Sequence, residues 1–141
     1  MSSVINIQID WADLDLFGHV NNVAFFRYMQ SARLRYCEQI GLSSLNEAGK
    51  LSFLVASSRC DFRNAIYYPG QVEITSSIIW ARNTSFCLKH KIHDREQKIY
   101  AEGEDVLVLY DYQRAEKCII DDQLRQRMGL PSLNEQRRDN S

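Results

Sequence analysis

The chain has 141 residues, 45% of them apolar and 25% charged, and a formal net charge of -1. That size and balance set one ordinary globular domain as the expectation, long enough to bury a core without disulfides. A near-neutral chain offers nucleic acid or an anionic membrane no global basic field, and no stretch reaches the ~20 apolar residues of a membrane-spanning helix.

Cys37, Cys60, Cys87 and Cys118 are scattered, with no C-x-x-C pair. That spacing argues against zinc ligation and thioredoxin-type chemistry and predicts reduced thiols in apolar surroundings. The opening "MSSVINIQID" has neither the basic segment nor the apolar run of a signal peptide. A reducing cytoplasm is the expected compartment.

In chain order, "VINIQIDW" alternates. Ile5, Ile7, Ile9 and Trp11 share one face, as in a half-buried strand. "ADLDLFGHV" reads as a loop turned by Gly18. A long helix follows from about Asn22 to Ile40, capped by Asn21 or Asn22 and stopped by Gly41. Phe25, Met29, Ala32, Tyr36 and Ile40 fall at helical spacing, and Val23, Phe26 and Cys37 widen the stripe. A helix apolar nearly all round in its first turns is expected to be wrapped by other structure.

After "LSSLNEAGK" the period becomes two. "SFLVASSRCDF" reads as a strand, and "YYPGQ" as a turn with Pro69 second and Gly70 third. "QVEITSSIIW" places Val72, Ile74, Ile78 and Trp80 on one face. "ARNT" is a hairpin connection. "SFCLKHKIHD" carries Phe86, Leu88 and Ile92 with His90 interrupting, and "IYAEGEDVLVLYD" is the last long strand. Connections this short force antiparallel pairing. A short helix near Asp121 to Met128 comes next, and residues 131–141 read as a frayed tail after a single domain over residues 1–130. One buried helix against one curved antiparallel sheet of five strands is an α+β solution.

That order, with "DLDLFGHVNNVAFFRYMQSARLRY", resembles the hotdog-fold acyl-CoA thioesterases, on the branch of 4-hydroxybenzoyl-CoA thioesterase and the YbgC and FadM enzymes. The motif is D-x-D-x-x-G-H-V-N-N, matched by Asp13, Asp15, Gly18, His19, Val20, Asn21 and Asn22. The likeness spans about Ile5 to Met128 and includes "YYPGQVEI" and "YAEGEDVLVLYD". It implies a helix wrapped by its sheet, hydrolysis of an acyl-CoA at the helix mouth, no cofactor and no metal.

By this resemblance Asp15 is the catalytic carboxylate, as general base or as nucleophile, and Asp13 is structural. Beside Leu14, Leu16 and Phe17, Asp15 is expected to be poorly solvated, which would strengthen it as a base. The helix N-terminus offers free N–H groups around Val20 to Asn22 for a developing oxyanion, and the resemblance puts that donor at Asn22. His19 either orients the thioester or holds the loop. One of Asn21 and Asn22 caps the helix, and the other meets substrate. Gly18, Val20, Asn21, Phe25, Phe26, Ser57 and Ser58 are candidate substrate contacts. The "WARNTSF" turn offers Arg82, Thr84 and Ser85 to coenzyme A, with Arg59 and Arg63 as further cations. His90 and His93 read as structural.

One departure stands out. Relatives often carry proline early in the loop after the second strand, where this chain has "RNAIYY". Unpaired sheet edges need cover, and the resemblance implies a homodimer or homotetramer with sites between subunits. Two other functions compete: hydrolysis of acyl carrier protein thioesters, favoured by a basic rim, and non-catalytic acyl-CoA binding, disfavoured by an intact Asp15. A hotdog dehydratase fits less well, because its His and acid are set differently. No G-x-S-x-G elbow, phosphate-cradling glycine loop or metal-ligand spacing is present.

Overall fold

A computed structural model describes residues 1–43, 49 and 51–139. The elements are β1 (Ser2–Gln8), a 3-10 turn (Trp11–Asp13), α1 (Asn22–Gln39), β2 (Ser52–Phe62), β3 (Gln71–Ala81), β4 (Ser85–His93), β5 (Ile99–Asp111), β6 (Glu116–Lys117), α2 (Asp122–Met128) and α3 (Leu133–Asp139). One antiparallel sheet has the order β1-β3-β4-β5-β2, and two-residue β6 pairs with β5. The α+β reading therefore holds, with a short sixth strand added to the expected five. The segment read as a frayed tail carries α3, and the loop residues 44–48 and 50 lie outside the described residues. No described helix is long and apolar enough to cross a membrane.

Helix α1 forms because its apolar residues return at helical spacing behind an Asn21 cap, whose side chain accepts the Val23 N–H at 3.0 Å. It buries Ala24, Phe25, Tyr28, Met29, Ala32, Tyr36 and Cys37. Val23 and Phe26 do not join that face, being 70% and 38% exposed. The helix is wrapped on one side only, and the other side carries these two apolar residues into solvent. Gly41 ends the helix at φ +90°, and Arg127 reaches from α2 to donate to the Ile40 carbonyl at 3.2 Å.

Two strand faces depart from simple alternation. Trp11 is 72% exposed because the 3-10 turn begins there, held by Asp10 accepting the Ala12 N–H. In β3 the register slips between Ile78 and Trp80, so Ala81 turns inward and Trp80 goes to the outer face.

The core has two parts. One gathers Val20, Ala24, Phe25, Ile66, Val72 and Ile74 under the start of α1. The other gathers Tyr36, Phe86, Leu107, Ile120 and Leu124 under its end. Between them, Met29 presses so closely on β5 that a Cβ on Gly103 would lie 2.6 Å from its Sδ and Cε. All four cysteines are free. Burial pushes the Cys60 and Cys87 thiols up to about 11, which keeps them protonated and inert at neutral pH.

Candidate active site at the mouth of the central helix

The loop before α1 is fixed by its own polar residues. Asp13 accepts from the Tyr28 hydroxyl at 2.9 Å and from Arg27, while its carbonyl takes the Asn21 N–H at 2.8 Å. Burial, then the bond to Asp13, raise the Tyr28 hydroxyl well above its ordinary value, so it stays a donor. Both Asp13 oxygens are engaged in tying the loop to the helix. This is the structural role expected for the first acid of the motif.

Asp15 opens a turn closed at Gly18, whose N–H donates to the Asp15 carbonyl at 3.2 Å and whose φ is +83°. Only glycine takes that angle without cost. The Asp15 N–H in turn donates to the His19 carbonyl at 2.9 Å. Its Oδ1 accepts the Phe17 N–H at 2.8 Å, and its Oδ2 lies 3.2 Å from His19 Nδ1. Leu16 and Phe17 do not shelter it as expected: they are 102% and 84% exposed, because the turn points them away.

At the helix mouth the cap consumes two donors. Val23 N–H goes to the Asn21 side chain, and Ala24 N–H to the Asn21 carbonyl at 2.9 Å. The Val20 N–H is taken by the Ile66 carbonyl at 2.8 Å. Asn22 N–H has no partner among the described residues and sits at the positive end of α1. It meets Asp15 in one cavity of about 360 Å³.

That cavity unites Asp15, His19, Val20, Asn22 and Phe25 from the expected set. It adds Phe62, Arg63, Asn64 and Ala65 from the end of β2 and the segment after it. Arg63 is one of the further cations expected for coenzyme A, whereas Phe62, Asn64 and Ala65 carry no motif signal; residues 63 to 65 open the stretch where the proline departure occurs, and Phe62 directly precedes it. Phe25 and Phe62 pack edge-on with ring centres 5.1 Å apart, giving the cavity an aromatic corner.

The other candidates fall elsewhere in one chain. Gly18 and Asn21 line a second groove behind the turn, alongside Trp11, Leu16 and Phe17, and Asp15 borders both this groove and the cavity. Phe26 does not line the cavity and meets the edge of Phe62, with ring centres 6.3 Å apart. Ser57 is exposed on β2, and Ser58 donates to Asp105 at 2.6 Å. Arg82, Thr84 and Ser85 form the β3–β4 hairpin beside the second core cluster. There the Arg82 guanidinium covers Trp80 at 4.5 Å and its carbonyl accepts from Arg125 at 2.6 Å. Among the described residues no group of His, Cys, Asp or Glu is placed to hold a metal.

The family model of the thioesterase-like superfamily matches residues 9–128. The chain belongs to the thioesterase-like superfamily. Its fold is that of the PA5185 protein of Pseudomonas aeruginosa PAO1, with a TM-score of 0.79 at 27% identity over 93% of this chain and 92% of that one. A thioesterase of Thermus thermophilus, solved with coenzyme A and zinc, matches with a TM-score of 0.77 at 26% identity over 89% and 95% of the two chains. The uncharacterized Bacillus subtilis protein YsmA is 32% identical over 56 residues, 40% of this chain and 37% of YsmA. Family and fold are thus those implied by the D-x-D-x-x-G-H-V-N-N motif.

Proposed function

We propose that this thioesterase-superfamily chain hydrolyses acyl-CoA thioesters to the free acid and coenzyme A. The observation that carries the reading is the meeting of the Asp15 carboxylate and the unpartnered Asn22 N–H across one small cavity. A thioester carbonyl seated with its oxygen at Asn22 N–H is polarised by a donor and by the helix dipole. Attack on its carbon then comes from the Asp15 side, and Asp15 is the carboxylate that drives it. Phe25 and Phe62 bound the space for the acyl group. The Thermus relative's bound coenzyme A supports the thiol half of the substrate.

The homodimer forms through β2, the long edge strand, which leaves Leu54 and Val55 38% and 44% exposed. Arg82, Thr84 and Ser85 then reach coenzyme A from a partner subunit, since they sit away from Asp15 in their own chain. A carrier-protein substrate is less well supported. Among the described residues, Arg63 is the one Lys or Arg lining the cavity, and it already faces Glu102 at 3.4 Å, which gives an acidic partner little to meet there.

A panel from acetyl-CoA to palmitoyl-CoA with benzoyl-type esters, followed by free-thiol release, tests this. Saturable turnover of at least one ester is expected. Turnover of acyl carrier protein thioesters alone would move the function to that substrate class, and no turnover of either would leave binding without catalysis.

A further inference from the structure

An acyl chain whose carbonyl sits between Asp15 and Asn22 has to leave that end of the cavity along an apolar wall. Two directions are closed to it. Below Phe25 the core is filled. Phe25, Tyr28 and Met29 are buried in one cluster with Ile66, Val72 and Ile74, and Met29 is already tight against Gly103. Toward β5 the wall is polar and tied down. Arg63 faces Glu102 at 3.4 Å, and the Asn64 amide donates to the Ile99 carbonyl at 2.7 Å. The apolar direction that remains is toward Phe62.

Phe62 is the last residue of β2. It pairs with Ala101, which is buried on the inner face of β5, so the Phe62 ring lies on the helix side of the sheet. The backbone just after it is pinned, because the Arg63 and Asn64 N–H groups both donate to the Tyr100 carbonyl, at 2.8 and 3.1 Å. The ring meets Phe25 at 83° with centres 5.1 Å apart, and Phe26 at 73° with centres 6.3 Å apart. Phe25 and Phe62 line the cavity, whereas Phe26 and Val23 do not. Val23 and Phe26 are neighbours three residues apart on α1, and both are open to solvent. The Phe62 ring therefore divides the cavity from a second apolar surface.

We propose that Phe62 sets the acyl length this site accepts: its ring ends the slot, and the Val23–Phe26 surface lies beyond it. This rests on the reading of the cavity as the acyl site. The favoured acyl group is compact and fills the corner between Phe25 and Phe62. Each methylene buried in that corner raises kcat/KM about fourfold, and a methylene that emerges past the ring adds nothing. Removing the ring joins the corner to the Val23–Phe26 surface, so longer chains gain burial that the wild type denies them.

The test is kcat/KM for straight-chain esters from acetyl-CoA to palmitoyl-CoA, with wild type and Phe62→Ala side by side. Phe62 is 46% exposed, so the change takes little from the core. The wild-type profile should rise and then break at a short chain. Phe62→Ala should move the break to longer chains, with a gain of about 15-fold on the ester two carbons past the wild-type break. Adding Phe26→Ser to Phe62→Ala should take that gain away. Superimposable profiles of wild type and Phe62→Ala overturn the proposal. So does a wild type that prefers palmitoyl-CoA, or a gain that the double variant keeps in full. If Phe62→Ala does not fold, Phe62→Trp decides: a break moved to a shorter chain supports the proposal, and an unmoved break overturns it. A wild type that hydrolyses no ester overturns the hydrolase reading alone. The length assignment is then read from calorimetric titration of wild type and Phe62→Ala with the same esters. Tighter binding of the longer chains by the variant supports it, and equal profiles overturn it.

Discussion

Asp105 is fully buried on β5 among apolar neighbours, and its removal should be among the costliest single changes in the chain. Its Oδ1 accepts from Ser58 at 2.6 Å, and its Oδ2 accepts from His90 Nε2 at 2.8 Å and Arg33 at 3.1 Å. His90 is itself fully buried, its Nδ1 2.7 Å from the Ser76 hydroxyl. Arg33 already has a buried Nε without a partner, so it has no spare acceptor to turn to. Asp105→Ala strands both groups. Breaking a buried charge cluster by removing one member costs about 3–5 kcal/mol. With an unfolding entropy of roughly 0.3 kcal/mol/K for a chain this long, that is a fall in Tm of about 10–17 °C. Asp105→Asn keeps the shape, can donate to Ser58 and accept from His90, and should lose clearly less.

The same carboxylate has a signature in pH. Burial works to raise it, but hydrogen bonds from His90 and Ser58 and the pull of His90 and Arg33 prevail and hold it below its ordinary 3.8. A carboxylate lowered on folding contributes stability that is complete above its unfolded value. That contribution is lost as pH falls through its folded value. Thermal melts of wild type, Asp105→Asn and Asp105→Ala from pH 7 down to pH 3 read both effects. The wild type should lose its advantage over Asp105→Asn below about pH 4. An Asp105→Ala protein within about 1 kcal/mol of wild type would refute the argument that this cluster is mutually dependent.

Asn21→Ala removes the cap on α1; it should cost about 1 kcal/mol in a melt and lower kcat, because the frayed mouth no longer holds Asn22 N–H in place. Gly103→Ala sets a methyl 2.6 Å from the Met29 tip and 2.9 Å from the Arg59 carbonyl, so its urea midpoint should fall by an amount worth about 1–3 kcal/mol. Val55→Lys places a charge on the β2 edge; the chain should stay folded by circular dichroism while its mass by light scattering drops to that of a monomer.

The fold was legible because its signals are long and periodic. The switch from helical spacing in α1 to period two from Ser52 onward fixed the class, and short connections fixed the pairing. Errors came where one residue breaks a period. Trp11 leaves its expected face because the 3-10 turn starts there, and Trp80 leaves its face because β3 bulges just before it. Asp105 could have been found by the same count. Ala101, Gly103, Leu107 and Leu109 share its face of β5, so period two puts a carboxylate among buried residues. At the site, the motif placed Asp15, His19, Val20 and Asn22 together because they are neighbours in sequence. It could not show that Phe62 to Ala65 come from across the sheet to complete the cavity, or that Val23 and Phe26 face outward. Nor could it show that the Arg82 hairpin lies beside the far core, since only the folded chain sets those distances.

Asp15→Asn is the variant to make first, purified beside the wild type and followed for free-thiol release on the best acyl-CoA from the panel. In the proposed reading the Asp15 carboxylate drives the attack on the thioester, so turnover should fall by several orders of magnitude while the melt and the circular dichroism stay those of the wild type. An Asp15→Asn protein that is folded and releases thiol at the wild-type rate would contradict the assignment of this loop as the seat of the chemistry.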